Sequence, residues 1–149
     1  MKRKVLLIIL IVLCIAFIWG NSVLTKDQSH QISLAVRNFF AKIFSFDTAL
    51  DTEFTSEEHV LRKLAHITEF LVLGLLFMLL NNKNNKINII IIMFSGLLTA
   101  TLDETIQISS DRGSLVSDIW IDCFGFLIGI IIGFIINSFV LARKRKTEV

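Results

Sequence analysis

Four long apolar blocks, separated by polar stretches, constrain this chain more than any other feature. They run over about 5–24, 64–80, 87–102 and 119–141 of the 149 residues. A helix that crosses a hydrocarbon core of ~30 Å needs about 20 apolar residues. Each block is near that length, and polar ends or slight bilayer thinning accommodate the shorter second and third. A helix of a soluble protein needs only one apolar stripe, whereas these blocks are apolar all round. Membrane-spanning strands would alternate lipid-facing and lumen-facing residues, and Ile87–Phe94 shows no such alternation. The expected fold is an all-α membrane protein: a single domain over 1–149, built as a four-transmembrane-helix bundle. The first block has the basic start of a signal peptide. Its run to Trp19 is long for one and no small-residue cleavage site follows, so it reads as a span.

Charge distribution orients the bundle. Lys2, Arg3, Lys4, Lys83, Lys86, Arg143, Lys144, Arg145 and Lys146 supply nine of the 15 basic residues, and the three segments that hold them contain one acid, Glu148. Cytoplasmic segments carry the basic excess, so both termini and the 81–85 turn are expected inside. The other two connections and their flanking helix ends hold the remaining 12 acids and are expected outside. The formal net charge of +2 conceals this asymmetry. A basic tail beside a span suits anionic inner-leaflet lipid, and nucleic acid is not an expected partner. Cys14 and Cys123 fall inside apolar blocks, where a cysteine behaves as a small hydrophobe, and no zinc-type cysteine spacing occurs.

The first outward connection is long. Within it Ile32, Val36, Phe39, Phe40, Ile43 and Phe44 recur at helical spacing, predicting an interfacial amphipathic helix over about 29–46 that lies on the outer membrane surface. A lid over a site is the alternative reading of the same stripe. From Asp47 to Glu58 the segment is acidic and polar, and a loop is expected.

Ionisable residues gather at the outer helix ends. Arg62, Lys63, His66 and Glu69 open the second span, with His66 and Glu69 on one helical face. Such a pair can act as a general base with its orienting carboxylate, as two metal ligands, or as a packing pair between helices. Asp103, Glu104 and Gln107 close the third span, where polar residues can also simply mark the exit from the bilayer. Asp118 and Asp122 open the fourth, again on one face. Asp118 suits a helix start, but Asp122 sits inside the apolar block behind Ile119, Trp120 and Ile121. Gly125, Gly129 and Gly133 continue its face at four-residue steps and read as a close-packing surface. A charge within a span is costly unless it meets a partner or water. One-sided convergence of such groups, with Arg112 as a nearby cation, therefore points to a site.

These residues resemble the VanZ-like family. The shared pattern reads Arg62-Lys63-x-x-His66-x-x-Glu69-Phe70-x-x-Leu73-Gly74, then Asp103-Glu104-x-x-Gln107, Arg112, and Asp118-x-x-x-Asp122-x-x-Gly125-x-x-x-Gly129. The family often has Pro-Gly before the arginine, where Ser110 and Asp111 stand here. The founding member is linked to teicoplanin resistance in Gram-positive bacteria, so the resemblance implies an envelope role in a bacterial cell membrane.

Four functions compete. The favoured one is an envelope or glycopeptide-resistance protein whose outward site binds or modifies a lipid-linked or peptidoglycan-related ligand. Membrane lipid and a lipid-linked cell-wall precursor are then the expected partners. The second is a membrane enzyme. There His66 would serve as base, Glu69 as its orienter or a ligand, Asp103, Glu104 and Asp122 as acids or ligands, and Arg112 as a phosphate clamp. Arg62, Lys63, Gln107 and Asp118 would complete the binding set, and a divalent metal is compatible with these side chains. A proton-coupled relay fits less well, because the ionisable residues stop at one leaflet. A structural subunit is the fourth.

Overall fold

The computed structural model describes residues 2–44, 54–81, 86–110 and 116–147. These form five helices: α1 (Lys2–Val23), α2 (Lys26–Phe44), α3 (Phe54–Leu80), α4 (Lys86–Ser109) and α5 (Val116–Thr147). Four of them carry apolar stretches of spanning length, at Lys2–Val23, Val60–Leu80, Asn88–Ser109 and Val116–Val140. The shortest, 21 residues, extends roughly 32 Å at 1.5 Å per residue. The chain is an all-α, multi-pass membrane protein, as the four blocks predict.

The spanning helices outrun their apolar blocks. Residues 54–58, expected as loop, are helical, and α3 reaches Leu64 only after several polar positions. No proline or glycine interrupts 54–63, so the helix that the apolar block requires continues outward through polar sequence. Residues 47–53 of the expected loop, and positions 45–46 of the expected interfacial helix, lie outside the described residues. Likewise α4 continues through Asp103, Glu104 and Gln107 to Ser109, and α5 begins at Val116 rather than 119.

Packing is tightest between α3 and α5, whose backbones touch. A Cβ added at Gly125 would lie 2.5 Å from the Ile67 carbonyl oxygen, and one at Gly129 would strike the Leu71 carbonyl. From the other side, a Cβ at Gly74 would collide with the Phe126 carbonyl. Without a hydrophobic drive between helices in lipid, close backbone approach gains dispersion contact that larger residues would forfeit. The Phe126 ring packs edge-on against Phe77, centroids 6.0 Å apart, and Gly96 of α4 leaves room for it. Ile11 and Ile18 of α1, Phe70 and Leu73 of α3, and Ile92 and Ala100 of α4 complete the core around Phe126. Outward-facing residues such as Leu13, Ile90 and Phe139 stay exposed, as a lipid-facing surface requires.

Polar groups inside the apolar layer satisfy themselves locally. The Ser95, Thr99, Thr101 and Thr105 hydroxyls of α4 each donate to the carbonyl one turn earlier, a common solution where water is absent. α2 opens on a capping box. Thr25 Oγ1 accepts from the Gln28 amide at 3.4 Å while Gln28 Oε1 accepts from the Thr25 amide at 3.1 Å, which fixes the helix start immediately after α1. On α2, Phe39 and Ile43 are largely exposed, which gives this helix an apolar surface of its own.

Candidate functional site

Antiparallel threading brings the end of α1, the start of α3, the end of α4 and the start of α5 to one end of the bundle. Asp103 on α4 is fully enclosed and Asp122 on α5 is 1% exposed. His66 on α3 stands between them, its Nδ1 3.7 Å from Asp103 Oδ2 and 3.7 Å from Asp122 Oδ1. The three residues come from three helices, and the α3–α5 glycine contact lies next to His66 and one turn from Asp122.

Asp103 is held by hydrogen bonds. Ser22 of α1 donates to its Oδ1 at 2.6 Å, and Gln107 Nε2, one turn on, donates to its Oδ2 at 2.8 Å. Gln107 Nε2 also reaches Ser22 Oγ at 3.5 Å, closing a small buried network. Asp122 Oδ2 is buried and accepts no hydrogen bond from the described residues. Glu104 is buried as well and lies within electrostatic reach of Asp122. Glu69, one turn beyond His66, accepts from Asn21 Nδ2 of α1 at 2.8 Å through its Oε1.

Beside this cluster a cavity of about 150 Å³ opens between α1, α2 and α3. Its lining combines Asn21, Arg62, His66 and Glu69 with Leu24, Ile32, Val36 and Leu61. Ser29, Ile32, Ser33 and Val36 belong to α2, so this helix forms part of the cavity lining.

The structure sorts the sequence-derived candidates. It brings His66, Asp103, Asp122 and Gln107 into one cluster, with Arg62 and Glu69 at the adjoining cavity. Asp118 and Lys63 instead pair with each other at 3.7 Å on the rim, both partly exposed. Arg112 lies outside the described residues. Asn21, Ser22 and Ser29 were not anticipated. The available signal was two hydrogen-bonding residues, Asn21-Ser22, closing an apolar block at the same bundle end as the acidic clusters.

Chemically, the cluster presents an imidazole and two enclosed carboxylates to one point. One donor atom from each of His66, Asp103 and Asp122 lies within 4.8 Å of the others, compatible with acid–base work or with a cation between them. The opposite bundle end is different in kind: Asn137 Nδ2 donates to the Met78 carbonyl at 2.8 Å, and Asn88 Nδ2 donates to Asn81 Oδ1 at 3.2 Å. Those amides join helices without a charged group among the bonds described.

No curated protein and no solved structure matches the chain. A family model described as VanZ/LLP1 matches residues 5–137, from within α1 to Asn137 of α5. That span includes every residue of the cluster and of the cavity. The chain is therefore a multi-pass membrane protein of the VanZ/LLP1 family.

Proposed function

We propose that this protein acts in the bacterial cell envelope, where its outward polar site binds the anionic head of a lipid-linked, cell-wall-related ligand. Teicoplanin-type glycopeptide resistance is the phenotype that such action would confer. The observation that carries the reading is the mixed lining of the cavity, in which Arg62, His66, Glu69 and Asn21 meet Leu24, Ile32, Val36 and Leu61. An amphiphile matches such a lining, its head against the polar side chains and the start of its chain against the apolar ones. The Arg62 guanidinium suits a phosphate, which it can grip with two parallel hydrogen bonds. The basic excess at the other bundle end supports an outward orientation for the site. A second reading, acid–base or metal-assisted chemistry on the same ligand, is favoured by His66 lying 3.7 Å from two carboxylates.

Titration of the nanodisc-embedded protein with a polyprenyl phosphate tests the reading, with the uncharged polyprenol as control. The phosphate should bind more tightly than the alcohol. Arg62→Gln should lose about tenfold in affinity, or ~1.4 kcal/mol, for the phosphate alone. Equal affinity for phosphate and alcohol would remove the basis for the proposal.

A further inference from the structure

We propose that His66, Asp103 and Asp122 form a binding site for one divalent transition cation of the zinc class. Each offers a donor atom of a suitable kind, and the three atoms lie within 4.8 Å of one another. Around a zinc ion with bonds of ~2.0–2.1 Å, tetrahedral ligand atoms stand about 3.4 Å apart. The two separations to His66 Nδ1 are 3.7 Å and the carboxylate pair lies within 4.8 Å, so the imidazole pairs close by a few tenths of an ångström and the carboxylates by up to about 1.4 Å to reach that spacing.

Three further observations favour a cation over a packing cluster. First, Asp122 Oδ2 is enclosed yet receives no hydrogen bond from the described residues, whereas a carboxylate selected only for packing would have its donors. Second, Asp103 is oriented by Ser22 and Gln107, the kind of outer hydrogen bonding that fixes a ligating carboxylate. Its Oδ2 keeps a second lone pair for a metal while accepting from Gln107. Third, Asp103, Asp122 and the buried Glu104 bring negative charge together, and a dication offsets twice as much of it as an imidazolium would in a water-poor layer. The imidazole selects a borderline cation such as Zn²⁺ over Mg²⁺, which prefers an all-oxygen octahedron. Three protein ligands leave a coordination position open, and His66 also lines the cavity, so that position lies beside the proposed ligand pocket.

The inference stands on the three ligands alone and does not require the lipid-phosphate reading. The test is calorimetric titration of the chelator-stripped, full-length protein in detergent with Zn²⁺ alone. One Zn²⁺ should bind per chain. Asp122→Asn and His66→Gln should each weaken binding at least tenfold, while Asp27→Asn, which removes an exposed carboxylate on α2, should leave it unchanged. Should either site variant fail to fold, X-ray absorption of the zinc-loaded wild type decides: a shell of nitrogen and oxygen without sulfur supports the site. The absence of stoichiometric binding overturns it, as does binding that survives both site variants or a shell containing Cys14 or Cys123 sulfur. Failure here leaves polyprenyl phosphate binding standing, and failure of that binding leaves this site standing.

Discussion

Ser22 Oγ lies 2.6 Å from Asp103 Oδ1, so a hydroxyl at the end of α1 donates to a carboxylate fully enclosed on α4. The first span thereby helps position an acid that would otherwise be costly to bury. Ser22→Ala should lower the unfolding free energy by about 1–3 kcal/mol, the range for stranding a buried polar group. Thermal or denaturant unfolding in detergent measures it. A variant as stable as the wild type would mean that Gln107 alone suffices.

The glycine seam predicts a contrast within one residue type. Gly129→Ala places a methyl group against the Leu71 carbonyl and should destabilise by about 1–3 kcal/mol as α3 and α5 are forced apart. Gly20→Ala meets no atom within 4 Å and should stay within about 0.5 kcal/mol of wild type. Comparing their unfolding midpoints in one detergent checks the seam, and similar losses at both positions would contradict it.

Much of this architecture is legible in the residues because lipid imposes so few alternatives. Four apolar blocks dictate four helices, and the steps from Asp122 through Gly125 to Gly133 announce the face that packs inward. Asp122 was legible as a site residue because no helix start explains a carboxylate behind Ile119, Trp120 and Ile121. Asn21 and Ser22 were not, since polar residues at the end of a span equally mark its exit from the bilayer. Only the contact between α1 and α4 shows that Ser22 donates inward. Asp118 shares a helical face with Asp122, yet one turn toward the helix end is enough for it to meet Lys63 on the rim. The helical stretch 54–58 was misread as loop because polarity marks the bilayer boundary, whereas a helix can run on past it.

The proposed outward orientation of the cluster rests on the basic residues. In a background carrying Cys14→Ala and Cys123→Ala, Thr55→Cys and Ser114→Cys should react with an impermeant thiol reagent in intact cells, and Asn84→Cys should not. Labelling at position 84 from outside would invert the bundle and move the site to the cytoplasmic face.

The exposed face of α2 predicts an attachment to lipid. Phe39 and Ile43 are 61% and 56% exposed, and aspartate at both should speed amide exchange over 26–44 in nanodiscs, because the apolar face would leave the interface. Unchanged protection would assign the hold on α2 to its contact with α3 instead.

On the proposed reading, the enclosed cluster of His66, Asp103 and Asp122 serves function rather than stability. Asp122→Asn tests this, with its unfolding midpoint and its Zn²⁺ affinity read on the same chelator-stripped sample. The account predicts a midpoint equal to or above that of the wild type, since a charge is removed from a crowded, water-poor place, together with at least a tenfold loss of affinity. A midpoint that falls by several degrees while the folded fraction binds as tightly as wild type would contradict it.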